Sequence, residues 1–398
     1  MGKIIFIGGI TTPQSEEYMK KELGTIPYLS SDPLQKDIIR GLRDRFHNDL
    51  KIFNVMFFPN SKKPFRSKKS VEVTELGEIN NVPFLCYRIV QHFSKMWNIY
   101  RYIKTEIMDV DKIIAYSAYY PFLMALYRLK SINSRLEISL VVPDLPLYIG
   151  LDSNNTLYSR LSRLFRTSMF SHYSKCVDKY ILLTKYMNSV VNKSNKPFMV
   201  MEGIAPKEYE RVDGAITRRI VYSGTLQLKY GLPVLLEAIA LVKDPDISFE
   251  FYGSGEGKSN IEEASMKDPR IKYKGVLQRK ELHAIQQRSL ALINPRQNND
   301  EFTRYSFPSK ILEYMLSGRP VIAYCLDGMP EEYRKYILEP NDNSAESLAF
   351  LIEKTIHMNE TQLKEIGEKA RLFVSEKKDY INQTSRIIDF LDSSMGDS

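Results

Sequence analysis

The chain has 398 residues, of which 43% are hydrophobic and 26% are charged. This length favours two domains with separate cores, and the composition excludes a collagen-like, low-complexity or extensively disordered protein. The three cysteines, Cys86, Cys176 and Cys325, are far apart in the sequence. Their spacing indicates neither a disulfide framework nor a zinc site, and it suits a reducing cytoplasm.

The net charge of +8 is unevenly distributed along the chain. Residues 1–212 carry 31 Lys and Arg against 20 Asp and Glu, or +11, and the remainder carries 25 against 28, or −3. A basic half indicates an anionic partner such as nucleic acid, phosphorylated lipid or the cytoplasmic face of a membrane. The longest apolar runs fall short of the roughly 20 residues that span a bilayer, so no transmembrane helix is expected.

Short apolar runs bounded by turns predict buried parallel strands in both halves of the chain. The predicted strands are residues 3–9, 112–117, 137–142, 179–184, 219–224, 247–253, 271–275, 290–295 and 320–325. Helical patterns at 231–243, 280–288 and 308–317 separate the later strands. Strands that alternate with helices predict doubly wound sheets, one in each half. The turn-rich segment 203–217 predicts domains at 1–205 and 206–372, with a helical segment at 373–398 that returns to the first domain.

The most informative stretch is YSFPSKILEYMLSGRPVIAY, residues 305–324. Pro308 suits the first turn of a helix, and the amides of such a turn can bind phosphate. Glu313 could accept two hydrogen bonds from a ribose, as acidic residues do in dinucleotide folds. The alternatives are that Ser309 only caps the helix and that Glu313 lies on a solvated helix face.

Two glycine-containing loops follow predicted strands of the same half. In SGTLQLKYG, residues 223–231, Gly224 allows close approach of a ligand and Lys229 offers a charge for a diphosphate. In FYGSGEG, residues 251–257, the glycines lie at the carboxyl edge of the sheet, where doubly wound folds bind ligands. Taken alone, Lys229 is more simply an ordinary surface lysine.

In this order and at these separations, the three stretches resemble the C-terminal domain of glycosyltransferase family 4. The resemblance covers about residues 218–335 and is specific for members that build bacterial capsular and extracellular polysaccharides. It implies a GT-B fold, with two Rossmann-like, doubly wound α/β domains that face a cleft. It also implies a retaining transfer of a sugar from a UDP- or GDP-linked donor to a glycan or lipid-linked glycan, with no cofactor.

The resemblance assigns donor-binding positions to the C-terminal half. These are Gly224, Thr225, Lys229, Gly253, Gly255, Val276, Tyr305, Ser306, Phe307, Pro308, Ser309, Lys310 and Glu313. Tyr305 stands where the family often has a second glutamate, so Glu301, which is also a candidate catalytic residue, or the amides of Ser306 and Phe307 would contact the sugar. Thr225 stands where many members have an arginine, so Lys229 and Lys310 would carry more of the phosphate charge.

The N-terminal half offers fewer candidates, as expected for a domain that binds a variable acceptor. Gly8 and Gly9 close the first strand and would face the cleft on the acceptor side. Asp144 follows a strand, and Pro143 precedes it where many family members have a histidine. Asp144 is the candidate that orients or deprotonates an acceptor hydroxyl, and a capping aspartate is the alternative.

Residues 157–175 have the pattern of a basic amphipathic helix, with Arg160, Arg163 and Arg166 at intervals of three. With the segment 87–104, this helix could contact anionic lipid at the inner face of the cell membrane. A core helix with an ordinary cationic face is the alternative.

Other classes of function have less support in the sequence. The five histidines lack ligand spacing and the DVD motif at 109–111 precedes a strand, so no metal is expected. No nucleic-acid-binding module is recognisable. Two alternatives remain open, namely a non-catalytic nucleotide-sugar-binding subunit and a sugar-nucleotide epimerase of the same fold.

Overall fold

The computed structural model describes residues 3–23, 32–56, 65–87, 89–145, 157–206, 210–212, 214–299 and 301–393. The chain divides into two compact units, of which the first comprises Met1–Met201 with Gln383–Ser398 and the second Glu202–Asn382. The structure thus divides the chain after Met201 and after Asn382, whereas the sequence predicted divisions after residues 205 and 372.

The first unit is built on a sheet of mostly parallel strands. Its described strands are β1 (Lys3–Gly8), β2 (Leu50–Asn54), β3 (Phe65–Arg66), β4 (Ser70–Thr74), β5 (Gly77–Asn81), β6 (Leu85–Cys86), β7 (Val110–Tyr116), β8 (Glu137–Val142), β9 (Lys179–Leu182) and β10 (Phe198–Val200). The order is β10-β9-β8-β7-β1-β2-β5-β4, and only β4 with β5 pairs antiparallel within it. β1 and β8 are almost wholly buried, because helices flank a parallel sheet on both faces.

The helices of the first unit connect these strands. They are α1 (Pro13–Leu23), α2 (Asp32–Phe46), α3 (Val90–Lys104), α4 (Tyr120–Ile132), α5 (Leu157–Tyr173) and α6 (Met187–Val191). α4 carries a proline in its first turn, where the missing N–H removes no hydrogen bond, and residues 121–126 and Leu129 are buried.

The second unit has a five-stranded parallel sheet. Its strands are β11 (Thr217–Thr225), β12 (Ser248–Ser254), β13 (Ile271–Gly275), β14 (Ser289–Asn294) and β15 (Val321–Ala323), in the order β13-β12-β11-β14-β15. The chain first adds strands on one side of β11 and then on the other. The carboxyl ends of β11 and β14 therefore meet where the strand order reverses, which is the usual ligand position in such sheets.

The remaining helices are α7 (Leu232–Leu241), α8 (Lys258–Lys267), α9 (Arg279–Gln287), α10 (Lys310–Leu316), α11 (Ala345–Ile356), α12 (Glu360–Lys377) and α13 (Tyr380–Asp392). α12 begins with a capping box in which Asn359 and Gln362 satisfy each other's backbone N–H groups. The sheet and helices enclose two apolar clusters, one on each face of β11.

The end of α13 belongs to the first unit. Lys112 Nζ and Lys179 Nζ donate to the carbonyl of Leu391 at 2.7 and 2.8 Å, where the negative end of the helix dipole favours cations. Gly41 of α2 lies against Thr384, and a Cβ at Gly41 would stand 2.2 Å from the Thr384 hydroxyl. The last helix is thus fixed to the first unit at both of these positions.

His92 on α3 is a half-buried histidine in cationic surroundings. Its Nδ1 lies 2.8 Å from the Tyr119 hydroxyl. Burial, followed by the charges of Lys95 and Arg166, lowers the pKa of His92 to about 4. The folded pKa lies below the ordinary value of 6.5, so the fold favours the neutral imidazole. Stability from this group is present above pH 6.5 and is lost as the pH falls towards 4.

We expect His92→Gln to flatten the acid dependence of stability, since the variant has no imidazole to protonate. After solvent screening, the difference between wild type and variant should change by roughly 1–2 kcal/mol between pH 7 and pH 5. Urea unfolding at both pH values measures this change. Equal pH dependence of the two proteins would contradict the assignment.

Candidate functional site

A cavity of about 170 Å³ opens at the carboxyl ends of β11 and β14. It is lined by Tyr222, Ser223, Gly224, Thr225, Tyr230, Asn294, Arg296, Phe307, Pro308, Ser309 and Lys310. Of the residues predicted to bind a donor, the cavity thus brings together Gly224, Thr225 and the run 307–310.

Glycines expose the backbone on one side of this cavity. Gly224, next to the last residue of β11, has φ +148° and Gly253 on β12 has φ +136°, a region that L side chains rarely adopt. A Cβ at Gly253 would stand 1.8 Å from the Gly224 carbonyl oxygen, whereas a Cβ at Gly224 would contact, among the described residues, only Lys310, at 3.9 Å. Gly253 is therefore required for close strand packing, and Gly224 leaves bare backbone facing the cavity.

The segment before α10 supplies backbone donors on the opposite side. The amides of Ile311 and Leu312 donate to the carbonyls of Pro308 and Ser309, so they are not available to an anion. The amides of Ser309 and Lys310 have no acceptor within the described residues. Of the amides in the predicted phosphate-binding turn, the candidates to donate to a phosphate are therefore these two N–H groups.

Glu313 lies under this segment, 8% exposed. It accepts two hydrogen bonds from Lys310 Nζ, at 2.9 and 3.0 Å, and one from Gln286 Nε2 at 3.0 Å. Burial alone would raise the pKa of Glu313, but Lys310 and Gln286 stabilise the carboxylate and the net pKa is lowered. The alternative of a solvated helix face is therefore wrong, and Glu313 is an ionised group that holds Lys310 in place.

A buried network fixes this carboxylate relative to β11. Gln286 on α9 is fully buried and also donates to Ser223 Oγ at 3.1 Å. The Tyr314 hydroxyl donates to the Ser223 carbonyl at 2.9 Å and accepts from the Ser223 N–H at 2.7 Å. Gln286 and Tyr314 were not predicted, because their partners are distant in sequence.

Arg296 is the cation that sequence reasoning missed. It follows β14, donates from Nη2 to Ser306 Oγ at 2.7 Å, and places its guanidinium 4.8 Å from the ring centroids of both Tyr230 and Phe302. Lys229 is exposed and lies 5.5 and 5.4 Å from the same two rings. Lys229 does not line the cavity itself. The position of Arg296, two residues beyond a strand at the carboxyl edge, is the signal that could have identified it.

The remaining predicted donor residues lie outside the cavity lining. These are Lys229, Gly253, Gly255, Val276, Glu301, Tyr305, Ser306 and Glu313. Val276 is 71% exposed, and Glu301 is exposed in a 3₁₀ turn at Glu301–Tyr305. Of these eight, four are connected to lining residues by the contacts given above, namely Lys229, Gly253, Ser306 and Glu313.

In the first unit, the acceptor-side candidates lie at one edge of the sheet. Gly8 ends β1 and Asp144 follows β8, with β7 between them. Both backbone polar groups of Gly9 are engaged by Gln35, whose amide accepts from the Gly9 N–H at 2.9 Å and donates to its carbonyl at 3.3 Å. The described strands thus place Gly8, Gly9 and Asp144 at the carboxyl edge, with Gly9 held by a buried side chain.

Asp144 is exposed, yet neighbouring protein atoms hinder its solvation and raise its pKa. Burial, and then the Asp144 charge, raise the pKa of Tyr116, whose buried hydroxyl has no hydrogen-bond partner within the described residues. Residues 146–156, which decide whether Asp144 caps a helix, lie outside the described ranges.

Metal ligands and membrane spans are the two remaining features that bear on function. In the described part of the chain, no three His, Cys, Asp or Glu side chains are grouped so that they could hold a metal ion. Among the described helices, none combines the length and the apolar composition that crossing a membrane requires.

Residues 217–357 match the model of the family Glycosyl transferases group 1. This match supports a glycosyltransferase. It spans all five strands of the second unit and the whole cavity described above. A search of curated protein sequences returned no match.

Solved structures of low sequence identity have the same fold. HepE from Anabaena in complex with UDP is 14% identical, with a TM-score of 0.64 over 98% of this chain and 100% of that one. Sucrose-phosphate synthase from Thermosynechococcus elongatus is 12% identical, with a TM-score of 0.64 over 98% of each chain. The lipopolysaccharide outer core galactosyltransferase WaaB is 12% identical, with a TM-score of 0.64 over 98% and 99%. The predicted GT-B fold class, with two Rossmann-like α/β domains, is confirmed.

Proposed function

We propose that the protein is a glycosyltransferase that moves a sugar from a UDP- or GDP-linked donor to a glycan or lipid-linked glycan acceptor in surface polysaccharide synthesis. The observation that carries the proposal is the cavity of the second unit, which combines bare backbone at Gly224, the cation Arg296 and two amides that have no acceptor in the described part of the chain. Backbone N–H groups and a guanidinium in this arrangement are suited to bind a diphosphate. The UDP and UDP-glucose complexes of HepE favour a uridine donor.

The donor would lie with its diphosphate between Gly224–Thr225 and Ser309–Lys310. Arg296 offers a fork of N–H donors to phosphate oxygens, and Lys229, which approaches the same two rings, adds a second positive charge. Glu313 would accept hydrogen bonds from the ribose hydroxyls. Its carboxylate also holds Lys310 towards the cavity, so one residue serves both nucleoside and phosphate.

The chemical step would be dissociation of the sugar from its diphosphate with attack by an acceptor hydroxyl. Arg296, Lys310 and the two amides stabilise the charge that develops on the leaving diphosphate, which is the work that a metal ion performs in other transferases. For a retaining course, the acceptor would attack from the face that the phosphate leaves. Asp144 in the first unit would orient or deprotonate the acceptor hydroxyl.

The test is a thermal-shift screen against UDP-, GDP-, ADP- and TDP-sugars, with and without EDTA. We expect one nucleotide class to stabilise the protein, by about 2.7 kcal/mol at a hundred times its Kd. The shift should persist in EDTA, and slow release of the nucleoside diphosphate should follow. Stabilisation without turnover would favour the non-catalytic subunit, and conversion to an epimeric nucleotide sugar would favour the epimerase. The absence of any shift would contradict the proposal.

The ribose role of Glu313 is tested with Glu313→Gln, which keeps the shape and removes the charge. We expect about tenfold weaker binding of the nucleoside diphosphate in calorimetry. A 2′-deoxy nucleotide distinguishes a direct contact between Glu313 and the ribose from an indirect effect through the Lys310 ion pair. The deoxy penalty is the loss of affinity when the 2′-hydroxyl is removed. This penalty should disappear in Glu313→Gln only if Glu313 contacts the ribose.

Glu301→Gln is the matched control, since Glu301 is an exposed carboxylate outside the cavity lining. It should leave nucleoside diphosphate affinity unchanged. Weaker binding of the nucleotide sugar alone would identify Glu301 as the sugar-binding carboxylate. An undiminished deoxy penalty in Glu313→Gln would reject the ribose assignment.

A further inference from the structure

Three helices of the first unit lie side by side, with α4 packed against both α3 and α5. The ring centroids of His92 on α3 and Tyr120 on α4 are 5.0 Å apart. Between α4 and α5, the ring centroids of Tyr120 and Phe165 are 6.0 Å apart, and those of Tyr127 and Tyr173 are 5.6 Å apart. The outer faces of these helices therefore form a continuous surface, which we name the α3–α5 surface.

Large apolar side chains are exposed on this surface. On α3 they are Val90 (46%), Phe93 (52%) and Trp97 (53%), at helical spacing of three and four, so they share one face. On α5, Leu164 is 67% exposed and Phe165 is 51% exposed. Clustered exposed apolar residues of this kind indicate a binding site for a protein, a membrane or a ligand.

The same helices carry charge of one sign only. α3, α4 and α5 contain three, two and three Lys or Arg residues and no Asp or Glu. Within the described part of the chain, no ion pair is formed by Arg101, Lys104, Arg128 or Arg163.

Helix α12, which has a solvated face, shows the usual arrangement of exposed cations. There, Lys369 pairs with Glu365 at 2.7 Å and Arg371 pairs with Glu368 at 2.7 Å. Cations with partners on their own helix are typical of a face that meets only water. On the α3–α5 surface, Lys130 of α4 pairs with Asp178. Arg101, Lys104, Arg128 and Arg163 have no such partner among the described residues, which indicates that their countercharge comes from outside.

We propose that the α3–α5 surface binds an anionic lipid bilayer, with Phe93 and Trp97 at the boundary between headgroups and acyl chains. A bilayer matches both features, because it offers apolar depth to the rings and a field of phosphates to the surrounding cations. An aromatic ring with a polar N–H, as in Trp97, is suited to this boundary. The contact is independent of the donor chemistry, so its failure would leave the proposed transfer reaction untouched.

Trp97 is the single tryptophan of the protein and therefore a built-in reporter. We expect its emission to shift to the blue when wild-type protein is titrated with vesicles of equal parts phosphatidylglycerol and phosphatidylcholine. Pure phosphatidylcholine should have little effect, and added salt should weaken the binding. Lipids brominated near the headgroup end of the acyl chain should quench the emission.

The charge contribution is tested with the double substitution Arg101→Gln and Arg163→Gln. We expect vesicle binding to weaken about thirtyfold, as two cations near an anionic surface predict. The matched control is Lys272→Gln with Lys274→Gln, which removes the same charge from exposed positions on β13. This control should bind as wild type does.

The apolar contribution is tested with Phe93→Ser, which should weaken vesicle binding about tenfold. Its control is Phe350→Ser on α11, where a phenylalanine is 66% exposed in the second unit. Both side chains are exposed, so neither substitution should affect folding.

Three results would overturn the proposal. The first is the absence of a blue shift, or an equal shift with uncharged vesicles. The second is vesicle binding that leaves Trp97 unquenched, which would place the contact elsewhere. The third is a shift that grows with protein concentration in lipid-free buffer, since a second copy of the chain would then cover the surface.

Discussion

Arg296→Ala is expected to weaken binding of the nucleoside diphosphate about a hundredfold, because hydrogen bonds to a charged group contribute about 1.5–3 kcal/mol. The guanidinium lines the cavity and is positioned by Ser306 Oγ and by two aromatic rings. Arg296→Lys should recover only part of the affinity, since an ammonium keeps the charge and loses the planar fork. Calorimetry at one fixed ionic strength measures both variants.

Arg304→Ala is the control for this experiment. Arg304 lies in the neighbouring 3₁₀ turn, approaches Asp327 at 3.7 Å and does not line the cavity. Its removal should leave donor affinity unchanged. If Arg296→Ala binds normally while Lys229→Ala does not, then the lysine carries the phosphate charge, as the sequence alone suggested.

Gly253→Ala should destabilise the second unit by about 3 kcal/mol or more, which is large for one methyl group. The new Cβ would stand 1.8 Å from the Gly224 carbonyl oxygen, and φ is +136°. Either β11 or β12 must then move, and the bare backbone of the cavity moves with it. Urea unfolding followed by circular dichroism measures the loss, with a separate transition fitted for each unit.

Gly275→Ala distinguishes the cost of a strained backbone from the cost of a steric clash between the new Cβ and neighbouring atoms. Gly275 also has a positive φ, of +74°, but a Cβ there would lie within 4 Å of no heavy atom of the residues that the structure describes. This variant should lose only about 1–2 kcal/mol, the cost of a left-handed backbone for an L residue. Equal losses for the two alanines would contradict the role given to the contact between Gly253 and Gly224.

Hydrophobic pattern predicted most of the strands that are buried on both faces, but it missed β2, which is buried at four of its five positions. β1, β7 and β8 appear close to their predicted ranges, because short continuous apolar runs bounded by turns are typical of strands inside a parallel sheet. β4 and β5, SVEVT and GEINN, were not predicted. They are partly exposed edge strands, and their polar side chains hide them from a search for apolar runs.

The candidate site was predictable where it depends on local sequence. Gly224 and the turn at 307–310 lie in motifs that specify their own backbone. Arg296 and Gln286 were missed, since their roles follow from β14 lying beside β11 and α9 reaching Ser223. Strand order is set by packing across the whole sheet, and no short motif encodes it.

The return of α13 to the first unit means that this unit is not a continuous piece of chain. Lys179 is 1% exposed, and two of its hydrogen bonds go to the carbonyls of Leu391 and Ser393. A chain cut after Met201 would leave this buried ammonium short of acceptors. Any chimera that exchanges the first unit must therefore transplant two segments, the N-terminal body and the last helix, as a matched pair.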